Sequence, residues 1–194
     1  TEETIAERYA QWKMRCPTHL SIGQEATAVG TCLQLEDTDY AVSTHRAHAH
    51  YIAKGGNLHA MLAEIYGKAT GCSKGKGGSM HLVDTSVGFM GSTAIVGGTI
   101  PVGTGLALSA QLHGDGRVAC TFLGDGAVEE GVFYESVNFA VVRKLPVVYV
   151  CENNLYSVYS PLEVRQPTAP PIHERVQALG IAVDSGDGNN LQEV

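Results

Sequence analysis

The sequence predicts an α/β fold in which a parallel sheet is flanked by helices. Short apolar runs at Val118–Leu123 and Val147–Cys151 are typical of buried strands, and Glu129–Val142 between them has helical spacing. A strand, a helix and a strand within about 35 residues form a βαβ unit with parallel strands and a right-handed crossover. The length of 194 residues, with 44% hydrophobic and 17% charged residues, fits one globular domain, residues 1–194.

Apolar spacing and turn residues place the elements of the N-terminal third. Ile5, Tyr9 and Trp12 recur every three or four positions, which predicts a helix from Ile5 to about Met14 with one buried face. The elements expected after it are a helix over Gly23–Leu35, a strand over Tyr40–Ser43, a His-rich segment that ends at the helix stop Gly55 and Gly56, and a helix capped by Asn57 that runs through Ile65.

A long uncharged stretch occupies the middle of the chain. Thr85–Gly114 contains no Asp, Glu, Lys or Arg and is longer than a membrane-spanning helix requires. Because Gly, Ser and Thr fill much of it and Pro101 interrupts it, its transfer into lipid would be only weakly favourable. We therefore predict no membrane span but a helix buried on all sides, with Pro101 in its first position. The preceding segment Gly67–Gly78, rich in Gly and Lys, is predicted to be a loop.

The C-terminal segment predicts one more helix and one more strand. Ile172–Leu179 has helical spacing and stops at Gly180, and Ile181–Val183 is expected to be a strand. Asn190–Val194 has the composition of a helix start, and a first turn with nothing after it cannot bury a face against the sheet. We therefore expect the domain to be C-terminally incomplete in this sequence.

Charge and cysteine content limit the partners and the compartment. The formal net charge is −7 and the basic residues are scattered, whereas a nucleic-acid backbone attracts clustered Lys and Arg. Nucleic acid is therefore not an expected partner. The five cysteines form no C-x-x-C pair, and the acidic start of the chain does not resemble a signal peptide. We expect a reducing, cytoplasmic compartment.

Gly-Asp-Gly occurs three times, and only the middle copy lies where ligands bind. The copies at Gly114–Gly116 and Gly186–Gly188 are expected to be turns, the usual role of Gly and Asp. Asp125, in Gly124–Gly126, directly follows a predicted strand, and Asn153–Asn154 follows the next one. Because ligands of open α/β sheets bind at the carboxyl ends of parallel strands, one crossover brings these side chains to the same rim.

The residue types at this rim suit a magnesium ion and a diphosphate. Carboxylate, amide and backbone carbonyl oxygens are ligands of Mg²⁺, whose octahedral coordination is usually completed by phosphate oxygens. Gly124 and Gly126 would let the backbone approach the phosphates closely. The helix expected to open after Ala127 would point its free N–H groups and positive dipole end toward them.

The Gly-Asp-Gly and Asn-Asn elements at this spacing resemble the diphosphate and magnesium motif of thiamine diphosphate enzymes. Other segments resemble, in the same order along nearly the whole chain, the alpha subunits of 2-oxo acid and acetoin dehydrogenases. These are His19–Ala26 (HLSIGQEA), Thr44–His50 (THRAHAH), Lys74–His81 (KGKGGSMH), Ile95–Gly97 (IVG) and Cys151–Tyr156 (CENNLY). The resemblance implies the thiamine diphosphate-binding fold.

The resemblance also implies which residues hold the cofactor. The magnesium ligands would be Asp125, the side chain of Asn154 and the backbone carbonyl of Tyr156. Arg46 would bind the diphosphate, a role that suits its planar and permanently charged fork. Val96 and its neighbours would pack under the aminopyrimidine ring. The full set of implied cofactor contacts is His45, Arg46, Ile95, Val96, Gly124, Asp125, Gly126, Ala127, Asn154, Tyr156 and Ser157.

The histidines carry the implied catalytic roles and leave alternatives open. His19 resembles the histidine near the reacting carbon, where it would steer protons, and His48 is a weaker catalytic candidate. Each histidine also fits a structural role. A zinc site built from His45, His48 and His50 is the alternative for the cluster. Where the pyruvate enzymes often have Tyr, this chain has His45, as in acetoin-type variants, so the substrate stays open.

The resemblance finally implies an activity and its partners. A 2-oxo acid (pyruvate or a branched-chain acid) would lose carbon dioxide, and the acyl group would pass to a lipoyl-bearing acyltransferase. A beta subunit, in a heterotetramer of two alpha and two beta chains, would supply the glutamate that activates the cofactor. The alternatives are cleavage of acetoin, a truncated cofactor-binding or assembly subunit without activity, and a flavodoxin-like binder of another phosphate ligand.

Overall fold

A computed structural model describes all 194 residues and has a four-stranded sheet at its centre. The strand order is β2-β1-β3-β4, and every neighbouring pair is parallel. A separate antiparallel hairpin pairs β5 with β6. The strands are β1 Tyr40–Ser43, β2 Phe89–Ser92, β3 Ala119–Gly124, β4 Val147–Glu152, β5 Tyr156–Ser157 and β6 Ser160–Pro161. The predicted α/β class is confirmed.

Helices cover both faces of the sheet. Along β3, Cys120 and Phe122 belong to a core that includes residues of the first four helices, whereas Ala119 and Leu123 belong to cores on the side of the fifth and sixth helices. This alternation is the pattern of a strand that is buried on both faces. The helices are α1 Glu2–Tyr9, α2 Glu25–Leu33, α3 His48–Ala53, α4 Leu58–Ile65, α5 Thr99–His113, α6 Gly131–Arg143, α7 Leu162–Arg165 and α8 Ile172–Gln177.

The predicted βαβ unit is confirmed as β3, α6 and β4. Its two strands pair in parallel, with Gly124 opposite Glu152 at the carboxyl end. The helix α5 packs closely on this sheet, because a Cβ added to Gly103 would lie 1.9 Å from Oγ1 of Thr121. Strand β1 has the predicted bounds, and Asn57 caps α4 by accepting a hydrogen bond from the backbone N–H of Ala60 at 2.9 Å.

Other boundary predictions are wrong for identifiable reasons. Helix α1 ends at Tyr9 rather than near Met14, because the backbone of Trp12 is left-handed (φ 57°) and its side chain is 86% exposed. Ile181–Val183 forms no strand, and Asn190–Val194 forms turns rather than a helix start. Ile181 packs instead against the core between the sheet and helices α5 and α6, and Leu191 and Val194 lie against Gly30 of α2.

The uncharged stretch divides into three elements instead of one helix. A short 3₁₀ turn at Thr85–Val87 and strand β2, which the sequence analysis missed, precede α5. Pro101 is in the third helical position, not the first. The prediction of a helix buried on all sides is wrong, because only one face of α5 packs on the sheet, and Val102 and Leu112 on the other are 51% and 77% exposed. None of the helices combines the length and apolar character that crossing a bilayer demands.

Strand β4 lies at the edge of the sheet. The sequence predicted it to be buried, but Val148 is 48% exposed and Cys151 is also exposed. The apolar run predicted the strand correctly. Its position at the end of the strand order leaves one edge of this strand without a neighbouring strand.

Candidate functional site

All four parallel strands end at one rim, and a predicted site segment follows each strand. Thr44–Arg46 follows β1, Thr93–Val96 follows β2, Asp125–Ala127 follows β3 and Asn153–Tyr156 follows β4. The carboxyl ends of parallel strands form the ligand-binding edge of open α/β sheets. The fold therefore brings together segments that lie far apart in the sequence.

Asp125 is the buried acid of this rim. Asp125 is 1% exposed and is the first residue of the 3₁₀ turn Asp125–Glu129, which links β3 to α6. The prediction that a helix opens directly after Ala127 is wrong, since α6 begins at Gly131. The backbone N–H groups nearest to Asp125 therefore belong to the tight turn and not to the end of a long helix.

A hairpin brings the segment after β4 back over this turn. Strands β5 and β6 pair antiparallel, and a Cβ added to Gly126 would lie 2.8 Å from Oγ of Ser157. A larger residue at position 126 would force the Ser157 side chain to move. Oδ1 of Asn154 accepts the backbone N–H of Tyr156 at 3.0 Å, which fixes the amide while leaving its oxygen a second lone pair.

Two residues that the sequence analysis did not single out contact Asp125, and one of them, Arg165, balances its charge. Arg165 donates from Nη2 to Oδ2 of Asp125 and from Nη1 to Oε1 of Glu129. Gln166 donates from Nε2 to the backbone carbonyl of Asp125 at 3.2 Å and is held by Arg175, which donates to its Oε1 at 2.5 Å. No spacing rule points to Arg165, because the contact depends on how the hairpin folds back.

The donor set of this rim fits an oxygen-seeking divalent cation. The buried Asp125 carboxylate already has a cationic partner, and the Asn154 amide and the Tyr156 carbonyl come from the hairpin beside it. Hard cations such as Mg²⁺ are bound by such oxygens together with phosphate oxygens. A metal at Asp125 would take the position that the Arg165 guanidinium holds here.

The histidine cluster does not form a zinc site. His48 is fully buried, with Nδ1 2.7 Å from Oε1 of Glu2 and Nε2 2.8 Å from Oγ of Ser79. His50 is bonded through Nδ1 to Ser43 at 2.8 Å and through Nε2 to Glu152 at 3.1 Å. Because both nitrogens of each ring have protein partners, the zinc alternative fails, and no cluster of three or more His, Cys, Asp or Glu residues is arranged to hold a metal. The surroundings of His48 favour a structural role.

His19 and His45 form an edge-to-face pair at the same rim. Their ring centroids are 4.6 Å apart, and Nδ1 of His19 is buried without a hydrogen-bond partner. Burial lowers the pKa of each ring, and the nearby guanidinium of Arg46 lowers both further. Both rings are therefore neutral at neutral pH. Nδ1 of His19 is therefore a polar atom at this rim whose hydrogen-bonding capacity the protein leaves unsatisfied.

Ile95 and Val96 give the rim an apolar surface. They are 72% and 48% exposed, on the turn between β2 and α5. Gly97 fixes this turn, because its φ is 78° and an added Cβ would lie 3.2 Å from Cγ of Glu130. Exposed aliphatic side chains on a rigid turn are suited to packing against a flat ring.

The whole chain matches one protein family. The family model described as dehydrogenase E1 component covers residues 1–194. The chain belongs to this family. It is 45% identical over 189 residues to the alpha subunit of acetoin:2,6-dichlorophenolindophenol oxidoreductase from Bacillus subtilis, over 96% of this chain and 56% of that protein.

Relatives named for pyruvate are nearly as similar to this E1 component chain. It is 40% identical over 193 residues to the pyruvate dehydrogenase E1 component subunit alpha of Rickettsia prowazekii, over 100% of this chain and 59% of that one. It is 51% identical over 139 residues to the acetoin oxidoreductase alpha subunit of Cupriavidus necator, over 72% and 42% of the two chains. The chain thus spans less than two thirds of the length of these relatives.

Proposed function

We propose that this chain is the cofactor-anchoring part of the alpha subunit of a thiamine diphosphate-dependent dehydrogenase. The observation that carries the proposal is the meeting of Asp125 with the hairpin that bears Asn154, Tyr156 and Ser157 at the carboxyl edge of the sheet. Membership of the dehydrogenase E1 component family supports it. Five free cysteines agree with a cytoplasmic location.

In this proposal the rim holds Mg²⁺ and the diphosphate. Asp125, Asn154 and the Tyr156 carbonyl bind the metal, while Gly124, Gly126, Ala127 and Ser157 surround the diphosphate. Arg46 adds a positive charge from the end of β1. These segments approach the ligand from three different strands, so the ligand would be held on several sides.

The other residues shape the reaction. Thiamine diphosphate, when bound, would supply the carbanion and electron-sink chemistry that cleavage next to a carbonyl requires. Ile95 and Val96 pack against the aminopyrimidine ring and exclude water from it. His45 lies beside His19. His19 is neutral and has a free nitrogen near the reacting groups, so it can accept or return a proton there.

The proposed reaction needs partner proteins. A beta subunit supplies the activating glutamate in a heterotetramer of two alpha and two beta chains. A 2-oxo acid loses carbon dioxide, and its acyl group passes to a lipoyl-bearing acyltransferase. The disulfide of the lipoyl arm takes up the two electrons and becomes one thioester and one thiol.

Acetoin is the second candidate substrate. His45 occupies the position at which the acetoin-type variants differ, and relatives named for acetoin and for pyruvate are both similar to the chain. Acetoin would be cleaved between its two oxygenated carbons, releasing acetaldehyde. The same carrier would accept the remaining two-carbon group.

A reconstitution experiment tests this function. The full-length alpha chain is mixed with its beta subunit, thiamine diphosphate and Mg²⁺, and reduction of an artificial dye is followed with pyruvate, a branched-chain 2-oxo acid or acetoin. We expect turnover with one substrate class. Asp125→Asn should abolish it, whereas Asp115→Asn, the same change in the Gly-Asp-Gly turn at the opposite end of the sheet, should retain it. Absence of turnover with all three substrates would contradict the proposal.

A further inference from the structure

A basic cleft, outside the cofactor rim, is lined by the segment after α1, the end of α4 and the loop that follows α4. Its volume is about 580 Å³, and its cationic lining residues are Lys13, Arg15, Lys68 and Lys76. All four side chains are exposed, and none takes part in any of the five ion pairs of the chain. The positive charge of this basic cleft is therefore not neutralised within the protein.

A buried carboxylate shapes the wall of the basic cleft. Glu64 is fully buried and is the only acid that lines the cleft. Its Oε2 accepts backbone N–H groups of Ser73 and Gly75, each at 2.8 Å, and its Oε1 accepts those of Gly77 and Gly78 at 2.6 and 3.2 Å. Four donors hold the loop around this charge, so the wall is preformed and Glu64 offers no free oxygen to the cleft.

The basic cleft contrasts with the charge of the rest of the chain. The net charge is −7, yet the cleft gathers four of the 13 Lys and Arg residues without a free acid among its lining residues. Such a local field attracts acidic surfaces and speeds their encounter. Solvated flexible lysines bind a large acidic surface better than a small ligand that needs fixed donors.

An exposed aromatic residue at the edge of the basic cleft also indicates a protein partner. Trp12 lines the cleft and is 86% exposed, on a left-handed backbone (φ 57°) that turns it away from helix α1. Trp and Arg are among the residues most enriched at the positions that dominate binding at protein interfaces. Trp12 and Arg15 supply both types within four residues of sequence.

The basic cleft adjoins the proposed reaction site. Of its lining residues, Cys16 lies three positions before His19 in the sequence, and Gly78 immediately precedes Ser79. The backbone N–H of His19 donates to Oγ of Ser79 at 3.4 Å, so both segments meet at the histidine cluster. Three residues span at most about 11 Å, so a partner in the cleft lies within a short reach of His19.

We propose that the basic cleft docks an acidic surface of the carrier protein that takes up the acyl group. This inference rests on the proposed function, which requires a carrier to approach the reacting carbon. The cleft supplies the positive charge, Trp12 supplies apolar contact, and the position beside His19 places the carrier at the entrance of the site.

Direct binding tests the proposal. The full alpha and beta assembly is measured against the lipoylated carrier domain at low and at physiological ionic strength, with Lys13→Glu/Lys68→Glu as the variant. The control is Arg143→Glu/Lys144→Glu, an equal change of charge at the end of α6, which lies at the amino end of the sheet. We expect the Kd of the variant to rise about tenfold or more at low ionic strength and that of the control to stay within about twofold of wild type.

Two further readouts separate the outcomes. Dye-linked turnover, which needs no carrier, should be equal in wild type, variant and control. Trp12→Ala should weaken carrier binding at both ionic strengths, because its contact is apolar. Equal Kd values for variant and control, or a wild-type assembly that does not bind the carrier at low ionic strength, would overturn the docking site. A wild-type assembly that binds the carrier in this manner without any dye turnover would support the docking site and contradict the proposed function.

Discussion

Arg165 lies 40 residues after Asp125 in the sequence, and its guanidinium ion-pairs with the Asp125 carboxylate at the carboxyl end of β3. The two side chains are 10% and 2% exposed, so the pair is largely removed from water. The same guanidinium contacts Glu129. An internal cation thus occupies the oxygen to which we assign Mg²⁺, so under our proposal the two cations would compete for it.

Removing this guanidinium should make the chain depend on metal. Arg165→Gln leaves a buried carboxylate without a partner, which should lower the free energy of unfolding in EDTA by about 3 kcal/mol. Mg²⁺ should restore more stability to this variant than it adds to wild type, as measured by urea unfolding. Arg117→Gln, which breaks a more exposed pair with Asp115, should cost no more than about 1 kcal/mol. Equal stabilisation of Arg165→Gln and wild type by Mg²⁺ would argue against competition.

Two glycines of α5 should respond in opposite ways to alanine. At Gly103 an added Cβ would lie 1.9 Å from Thr121, so Gly103→Ala should destabilise the chain by about 2 kcal/mol through overpacking. At Gly105 nothing lies within 4 Å, so Gly105→Ala should stabilise the helix by about 0.5 to 1 kcal/mol. Chemical unfolding of the isolated chain measures both. A loss of stability at Gly105 would show that its exposed face is packed.

The sequence predicted the parts of the fold that depend on local pattern. Strand β1 and the βαβ unit follow from short apolar runs, and the rim follows from the rule that parallel strands end together. Strand β2 was missed because its four residues, FMGS, have no strand-like alternation of apolar and polar residues, and its pairing with β1 depends on partners distant in sequence. Ile181–Val183 has the apolar residues of a strand but pairs with none, and Ile181 packs against the core of α5 and α6 instead.

Some features of the candidate site could likewise be predicted from local sequence, and others could not. Asp125 was predictable because a strand precedes it directly. The contacts of Arg165 and Gln166 were not, because they depend on the hairpin of β5 and β6, whose fold no turn signal fixed. The burial of His48 between Glu2 and Ser79 likewise joins three distant segments.

The pair of His19 and His45 should make stability fall in acid. Burial and the Arg46 guanidinium hold both pKa values below the ordinary 6.5 of the unfolded chain. At a pH between the folded-state and the unfolded-state pKa of a ring, the unfolded state binds more protons than the folded state. The stability that the neutral rings contribute is therefore complete above about pH 6.5 and is lost as the pH falls through the folded-state pKa values.

The double variant His19→Gln/His45→Gln tests this dependence. Its free energy of unfolding should fall less than that of wild type between about pH 7.5 and pH 5.5, because two groups that resist protonation are gone. Urea unfolding at a series of pH values measures the difference. Parallel curves for variant and wild type would remove these histidines as the cause.

The loop around Glu64 should depend on its charge. In Glu64→Gln one carboxylate oxygen becomes an NH₂ group that faces two N–H donors, which should cost about 3 kcal/mol. Hydrogen exchange of the amides of Ser73, Gly75, Gly77 and Gly78 should accelerate more than exchange in β3. Glu135→Gln, at an exposed position of α6, is the matched control and should change neither quantity.

Calorimetric titration of thiamine diphosphate in the presence of Mg²⁺ tests the central assignment most directly. The full-length chain with its beta subunit should bind the cofactor only when the metal is present, Asp125→Asn should weaken binding at least about a hundredfold, and Asp115→Asn should bind as wild type does. Metal-dependent binding of the same affinity in Asp125→Asn would contradict the account, because the metal would then lie elsewhere than at the carboxyl end of β3.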